Sequence, residues 1–332
     1  MLQLRLFGHL HVVHPPLADA PLDRRPPTEP LPVAGTQGAQ DGQLGLFDRR
    51  LARLRALREA IAAGELSAAL RILEGLEDGP DEDLPALRTR VKALRAELGR
   101  ALRSRGSARV MELAVVGRHL HGENEPWAAL GRHVLRLAAE EADRTADDAI
   151  DPPAGRLWLE AGALHEARAS LLAALGRRRR AELLFFLGDV ETRLGETAAA
   201  RRHYRDALLL DPFDSAFLTV LDDEVRELPE LTEGEFEMEE EPRAWAAPVG
   251  VVTGLFVCPR EPLQCLPESE GWSERAREAL GRARRFLEAL AQAASPEARR
   301  DPEALVEARR TMKRVCPALF ARYLARIGGS GT

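Results

Sequence analysis

Residues 181–214 read AELLFFLGDVETRLGETAAARRHYRDALLLDPFD, and the fold is decided by this stretch. Apolar residues recur at helical spacing in two runs that meet at Gly195, and Pro212 closes the second run. Gly188 and Ala200 are small where two helices would cross, which lets their backbones approach closely. Tyr204 is large enough to fill the space between one hairpin and the next. Pro212 has no N–H to continue a helix. The spacing predicts an antiparallel helical hairpin.

The preceding stretch repeats the plan. Gly162 fits the turn, Ala167 and Leu171 fit the second helix, and Gly155 stands where the small residue of the first helix belongs. The offset from Gly162 to Gly195 is 33 residues. A third echo surrounds Gly64, with Ala69 and Leu73 following at the same spacing. Leu184, Leu187, Gly188, Gly195, Ala200, Tyr204, Ala207 and Pro212 together resemble the signature of the tetratricopeptide repeat, clear for 181–214 and looser for 154–180 and 51–80. Glu191 departs from it, since an aromatic residue is usual there; one unit earlier Trp158 holds that place. The resemblance implies an all-α, helical-hairpin solenoid with a groove for an extended peptide or a partner helix. It therefore implies a non-enzymatic protein–protein interaction scaffold that needs no cofactor.

Composition agrees with a helical chain. Of 332 residues, 45% are hydrophobic, 30% charged and only 5% aromatic, and the abundant Ala, Leu, Arg and Glu lose little freedom in a helix. A net charge of −6 argues against direct binding of nucleic acid through a global field. Three cysteines, Cys258, Cys265 and Cys316, give no disulfide framework and fit a reducing cytoplasm. No apolar run approaches the roughly 18–20 residues that span a membrane, and the start lacks a signal-type cleavage site. The expected location is the bacterial cytoplasm, with no membrane partner.

Working outward, residues 1–14 read as a short extended segment and 15–46, rich in proline, as a flexible, disordered linker. Residues 47–145 form a helical region, with helices from Phe47 and Asp48, over 66–76, 84–103, 108–121 and 126–145. The repeats occupy 146–228, with hairpins at 154–176 and 181–210 and one more helix over 213–228. Residues 229–247 read as an acidic connector. The β-branched run PVGVVTGLFVC at 248–258 predicts a strand. Helices at 272–293 and 302–326 complete a small, mainly helical C-terminal region over 248–327, and 328–332 read as a disordered tail.

One short motif occurs twice. Gln3, Leu4, Leu6 and Phe7, and again Gln43, Leu44, Leu46 and Phe47, spell Q-L-x-L-F. It looks like the pentapeptide by which many bacterial replication and repair proteins dock on the β sliding clamp, an extended peptide that puts Leu and Phe in an apolar pocket. That resemblance implies a clamp-tethered accessory factor of DNA replication or repair. The alternatives are a strand at 2–13 and a hydrophobic staple in which Leu44, Leu46 and Phe47 pack under Leu51.

The remaining chemistry-bearing residues read blandly. His9, His11, His119 and His121 lack acidic or cysteine partners at ligand spacing. Arg177–Arg180 reads as favourable charge at a helix end plus a solvated turn, with a phosphate or nucleic-acid contact as the alternative, and the acidic run Glu233–Glu241 as solvated connector, with cover of a basic face at 299–314 as the alternative. No phosphate loop, dinucleotide fingerprint, zincin helix or nucleophile elbow occurs. No catalytic, cofactor-binding or metal residue is assigned, and the chain is not expected to be an enzyme.

Overall fold

Capping side chains, glycine and proline punctuate a chain of helices. Asp83 starts one by accepting from the Ala86 N–H at 3.0 Å, Ser273 does the same for Ala276 at 3.0 Å, and Asp301 accepts from Glu303 and Ala304 at 3.0 and 3.1 Å. Each satisfies an N–H that a helix leaves orphaned.

The computed structural model describes residues 40–76, 83–145, 151–236, 241–259, 272–298 and 300–329, for 40–48, 234–236 and 329 by backbone alone. Every regular element among them is helical. In order these are α1 (Gln40–Ala62), α2 (Leu66–Glu74), α3 (Leu84–Arg103), α4 (Gly106–His121), α5 (Trp127–Thr145), α6 (Ala154–Glu160), α7 (Leu164–Arg177), α8 (Ala181–Arg193) and α9 (Thr197–Leu210). A 3-10 turn (Ser215–Thr219) follows, then α10 (Asp223–Arg226), α11 (Leu228–Phe236), α12 (Pro242–Thr253), α13 (Glu274–Ala294), α14 (Pro302–Val315) and α15 (Pro317–Gly329). No described helix is long and apolar enough to cross a membrane.

The chain divides into two units, Met1–Arg49 and Arg50–Thr332. Of the first, only the start of α1 is described. The second holds two hydrophobic cores. One gathers residues from Leu57 to Ala161; the other runs from Leu159 to Leu319. They meet at the short helix α6 and the residue after it: Leu157 and Ala161 belong to the first core and Leu159 to the second.

Three hairpin turns share one hydrogen-bond pattern. Gly64, Gly162 and Gly195 have φ of +77°, +74° and +79°, a left-handed conformation that glycine adopts without a Cβ penalty. The residue after each glycine donates to the carbonyl five residues back: Glu65 to Ala60 at 2.8 Å, Ala163 to Trp158 at 3.0 Å, Glu196 to Glu191 at 2.8 Å. The glycine N–H donates three residues back, at 3.0, 3.1 and 3.1 Å. Five residues past each glycine stands a fully buried alanine (Ala69, Ala167, Ala200), and nine past it a fully buried large residue (Leu73, Leu171, Tyr204).

Several sequence expectations are corrected. The linker predicted to 46 ends sooner, because α1 already begins at Gln40. The single helix predicted over 213–228 is a 3-10 turn followed by α10 and the start of α11. Asp214 and Asp222 capture the N–H groups of Ala216 and Val225 at 2.8 and 3.3 Å, and such side-chain bonds compete with continuous helix. The connector at 229–247 contains most of α11 and the first half of α12.

The strand predicted at 248–258 is instead the end of helix α12 and the loop after it. Val249, Val251 and Val252 favour strands, but every residue from Ala244 to Val252 is buried, and a helix apolar on all sides belongs in a core. Burial outweighs the local preference, even with Pro248 inside the helix. Thr253 donates to the Val249 carbonyl at 2.9 Å, and Gly254, at φ +93°, ends the element. The helix predicted over 302–326 breaks at Pro317, before which Cys316 is extended as proline requires of its predecessor. The predicted tail loses its first residues to α15, which reaches Gly329.

Candidate functional site

The site with the most unusual chemistry lies on α8, which is buried from Ala181 to Glu191 except at Glu182. Gly188 faces Tyr204 of α9 so closely that a methyl group there would overlap the ring. The tyrosine hydroxyl donates to Asp189 Oδ1 at 2.7 Å and lies 3.0 Å from Thr192 Oγ1. A second donor reaches the same carboxylate oxygen: the backbone N–H of Leu221, at 2.9 Å. Asp189 is thus a buried carboxylate held by one hydroxyl from the hairpin and one amide from the segment that follows it.

Burial dominates the electrostatics there. It pushes the Asp189 carboxyl up to about 6, against the opposing pull of Tyr204, the Leu221 N–H and Arg193. Burial and the neighbouring Asp189 charge raise the Tyr204 hydroxyl further above its ordinary range. Native Asp189 therefore keeps its proton to about pH 6, whereas the unfolded chain releases it near 3.8. Its contribution to stability is full below 3.8 and is lost as pH rises through 6, a difference of about 3 kcal/mol at most. In Asp189→Asn, which keeps an oxygen for both donors, the fall in stability between pH 4 and 6.5 is expected to flatten. Urea melts across that range check it; Glu182 and Glu191, also raised by burial, supply the residual slope.

The face of α8 carrying Phe185 and Asp189 is covered by the chain itself. Phe217 meets Phe185 edge to face, ring centroids 5.8 Å apart, and Val220, three residues on, is buried in the same core. Arg156 lies over the Phe186 ring at 5.2 Å. Away from this face, Glu191 occupies the place that Trp158 has one unit earlier. It is buried and pairs with Arg168 at 3.0 Å, which also reaches Glu196 at 3.3 Å. Trp158 donates to Asp143 at 2.7 Å and Ser170 to the same carboxylate at 2.6 Å, tying α5 to α6 and α7.

The repeat-signature residues divide by role. Leu184, Leu187, Gly188, Ala200, Tyr204 and Ala207 are buried together around the α8–α9 crossing. Gly195 forms the exposed turn, and Pro212, also buried, follows the end of α9. Gln3, Leu4, Leu6 and Phe7 lie outside the described residues, as does the strand read at 2–13. Gln43, Leu44, Leu46 and Phe47 lie within α1; a helical backbone does not present them as the extended peptide expected of the motif.

Arg177–Arg180 crosses the α7–α8 turn, where Arg179 approaches Asp206 at 3.9 Å and Arg180 meets Glu182 at 2.6 Å. No group of His, Cys, Asp and Glu among the described residues is arranged to hold a metal. Burial raises the thiols of Cys258 and Cys316; Cys265 lies outside the described residues. Part of the acidic run Glu233–Glu241 does as well.

Sequence reasoning missed the arginines that join helices through backbone carbonyls. Arg284 donates to Leu209 at 2.8 Å, Arg205 to Val257 at 2.5 Å, Arg326 to Val251 at 2.7 Å and Arg193 to Leu159 at 3.2 Å. Three of them close the C-terminal ends of helices distant in sequence, where carbonyls lack partners. Nothing in the local pattern marks them, because the acceptor is backbone. Compared with protein-family models, curated proteins and solved structures, the chain matches none.

Proposed function

We propose that the chain is a non-catalytic interaction scaffold built from tetratricopeptide-like hairpins, acting on protein partners in the bacterial cytoplasm. The observation that carries this reading is the threefold turn at Gly64, Gly162 and Gly195, with its common hydrogen bonds and its buried alanine and large residue at fixed spacing. A unit that recurs in this way stacks on its neighbours and builds extended surface rather than an enclosed pocket. The test is co-purification of the intact chain from its own cytoplasm, followed by size-exclusion chromatography. A partner at fixed stoichiometry is expected; a chain that elutes alone from every extract sinks the reading.

A second reading, a sliding-clamp tether, is favoured by the doubled Q-L-x-L-F. Peptides spanning residues 1–10 and 38–50 are titrated against purified clamp, and the intact chain is compared with its Phe7→Ala/Phe47→Ala variant in the same co-purification. Saturable binding below high micromolar concentration, with clamp lost from the variant's partners, supports the tether. An unchanged partner set assigns the motifs a structural role.

A further inference from the structure

We propose that residues 213–221 are a displaceable strap occupying the Phe185–Asp189 face of α8, in the place of an extended partner segment that offers an aromatic ring to Phe185 and a main-chain N–H to Asp189. This deepens the scaffold reading and rests on it, since it names the chemistry of the segment bound.

Four features of the cover support displacement. Its only regular structure is one 3-10 turn, after which Val220 is extended at φ −55° and ψ 133°. It buries Phe217 and Val220 but leaves Leu218 59% and Leu221 39% exposed, so its apolar residues are divided between α8 and solvent. Its bonds to α8 are of a kind that any peptide with one aromatic residue reproduces: a ring edge on Phe185 and a single N–H on Asp189. Finally, a site filled only for packing needs no charge, yet Asp189 puts a carboxylate there, and one of its two donors comes from the cover. Burying such a group is costly without its full complement of partners, which makes the face selective for an occupant with a free N–H at that point.

The strap's ends are fastened, so opening is local. Asp211 accepts from the Phe213 N–H at 2.9 Å on one side. On the other, Arg201 holds Asp222 at 3.0 Å and Arg226 holds the Val220 carbonyl at 3.1 Å. Of the charged groups, Arg193 on α8 acts on Asp189 and Asp222, past the strap, acts on Tyr204; Asp222 is itself paired with Arg201 of α9, which also reaches Glu224 at 2.8 Å.

The experiment uses the full-length chain and a synthetic peptide of residues 211–223 as the probe. Leu221→Pro removes the N–H that Asp189 accepts, and Val220 is already in the extended conformation that precedes a proline. Phe217→Ala removes the ring. In both variants the amides of 217–220 are expected to exchange at least tenfold faster than in the parent, with α8 amides unchanged. The labelled peptide should bind each variant saturably, at least tenfold tighter than it binds the parent. Faster exchange of α8 together with the strap overturns the proposal, as does an opened strap whose variant takes no peptide. If neither variant folds, parental exchange decides: strap amides that open before α8 support it, and strap amides that open only with α8 refute it. The probe needs no outside partner, so this result is independent of the co-purification that tests the scaffold reading.

Discussion

Tyr204→Ala is expected to be the most damaging single truncation in the second core, at about 3–5 kcal/mol for loss of a fully buried aromatic. The ring is 0% exposed and fills the space that Gly188 leaves at the α8–α9 crossing. Removing it also takes from Asp189 its hydroxyl donor, which adds about 1–3 kcal/mol for a buried acceptor left short of a partner. Tyr204→Phe separates the two contributions: it keeps the ring and should cost only the hydrogen-bond share. Urea melts of both variants measure this. Equal losses in the two would show that the carboxylate, not the packing, organises the crossing; a loss under 1 kcal/mol in Tyr204→Ala would show that the crossing is not a core contact.

Gly131→Ala is expected to destabilise the chain as well, by less and for a different reason. An added Cβ would lie 2.7 Å from the Gly117 carbonyl oxygen and 2.8 Å from His121 Cα. These are backbone atoms of α4 and cannot rotate away, so α4 and α5 must move apart. Overpacking of this kind costs about 1–3 kcal/mol, enough to outweigh the roughly 1 kcal/mol by which alanine improves on glycine inside a helix. Gly281→Ala is the control. It is also a helix interior, with nothing within 4 Å of the added carbon, and should stabilise the chain by up to about 1 kcal/mol. Thermal melts of the pair should shift in opposite directions. A stabilising Gly131→Ala would mean that α4 and α5 separate at little cost in packing.

The hairpins were legible because their determinants are local. The left-handed glycine, the alanine five residues on and the large residue nine on can be counted in the sequence, and Gly64, Gly162 and Gly195 adopt the same bonded turn. What escaped reading depends on partners far along the chain. Val249, Val251 and Val252 favour a strand until burial on every side is known. Residues 213–221 read as helix until Asp189, more than one element away, draws the Leu221 N–H out of line. Pro317 is the exception, a break visible in the sequence but masked by an amphipathic period that continues across it. The candidate site divides similarly. Tyr204 and Gly188 read as packing residues, which they are. Asp189 carries no signal, because an acidic residue on a helix is ordinarily a solvated one and its two donors, the Tyr204 hydroxyl and the Leu221 N–H, come from other segments.

The meeting of the two cores at α6 bears on how the chain matures during synthesis. Among the described residues the first core takes nothing from beyond Ala161, so it can close as soon as α6 and Ala161 have left the ribosome, in keeping with the tendency of N-terminal parts to fold first. The second cannot, because it waits for α13, α14 and α15 to bring Phe286, Met312 and Leu319. In that interval the apolar residues of α8 are present without most of their final neighbours. Residues 213–221 are the first later-made segment able to lie over Phe185, and their early arrival would shield the nascent hairpin while the rest of the chain is still being made.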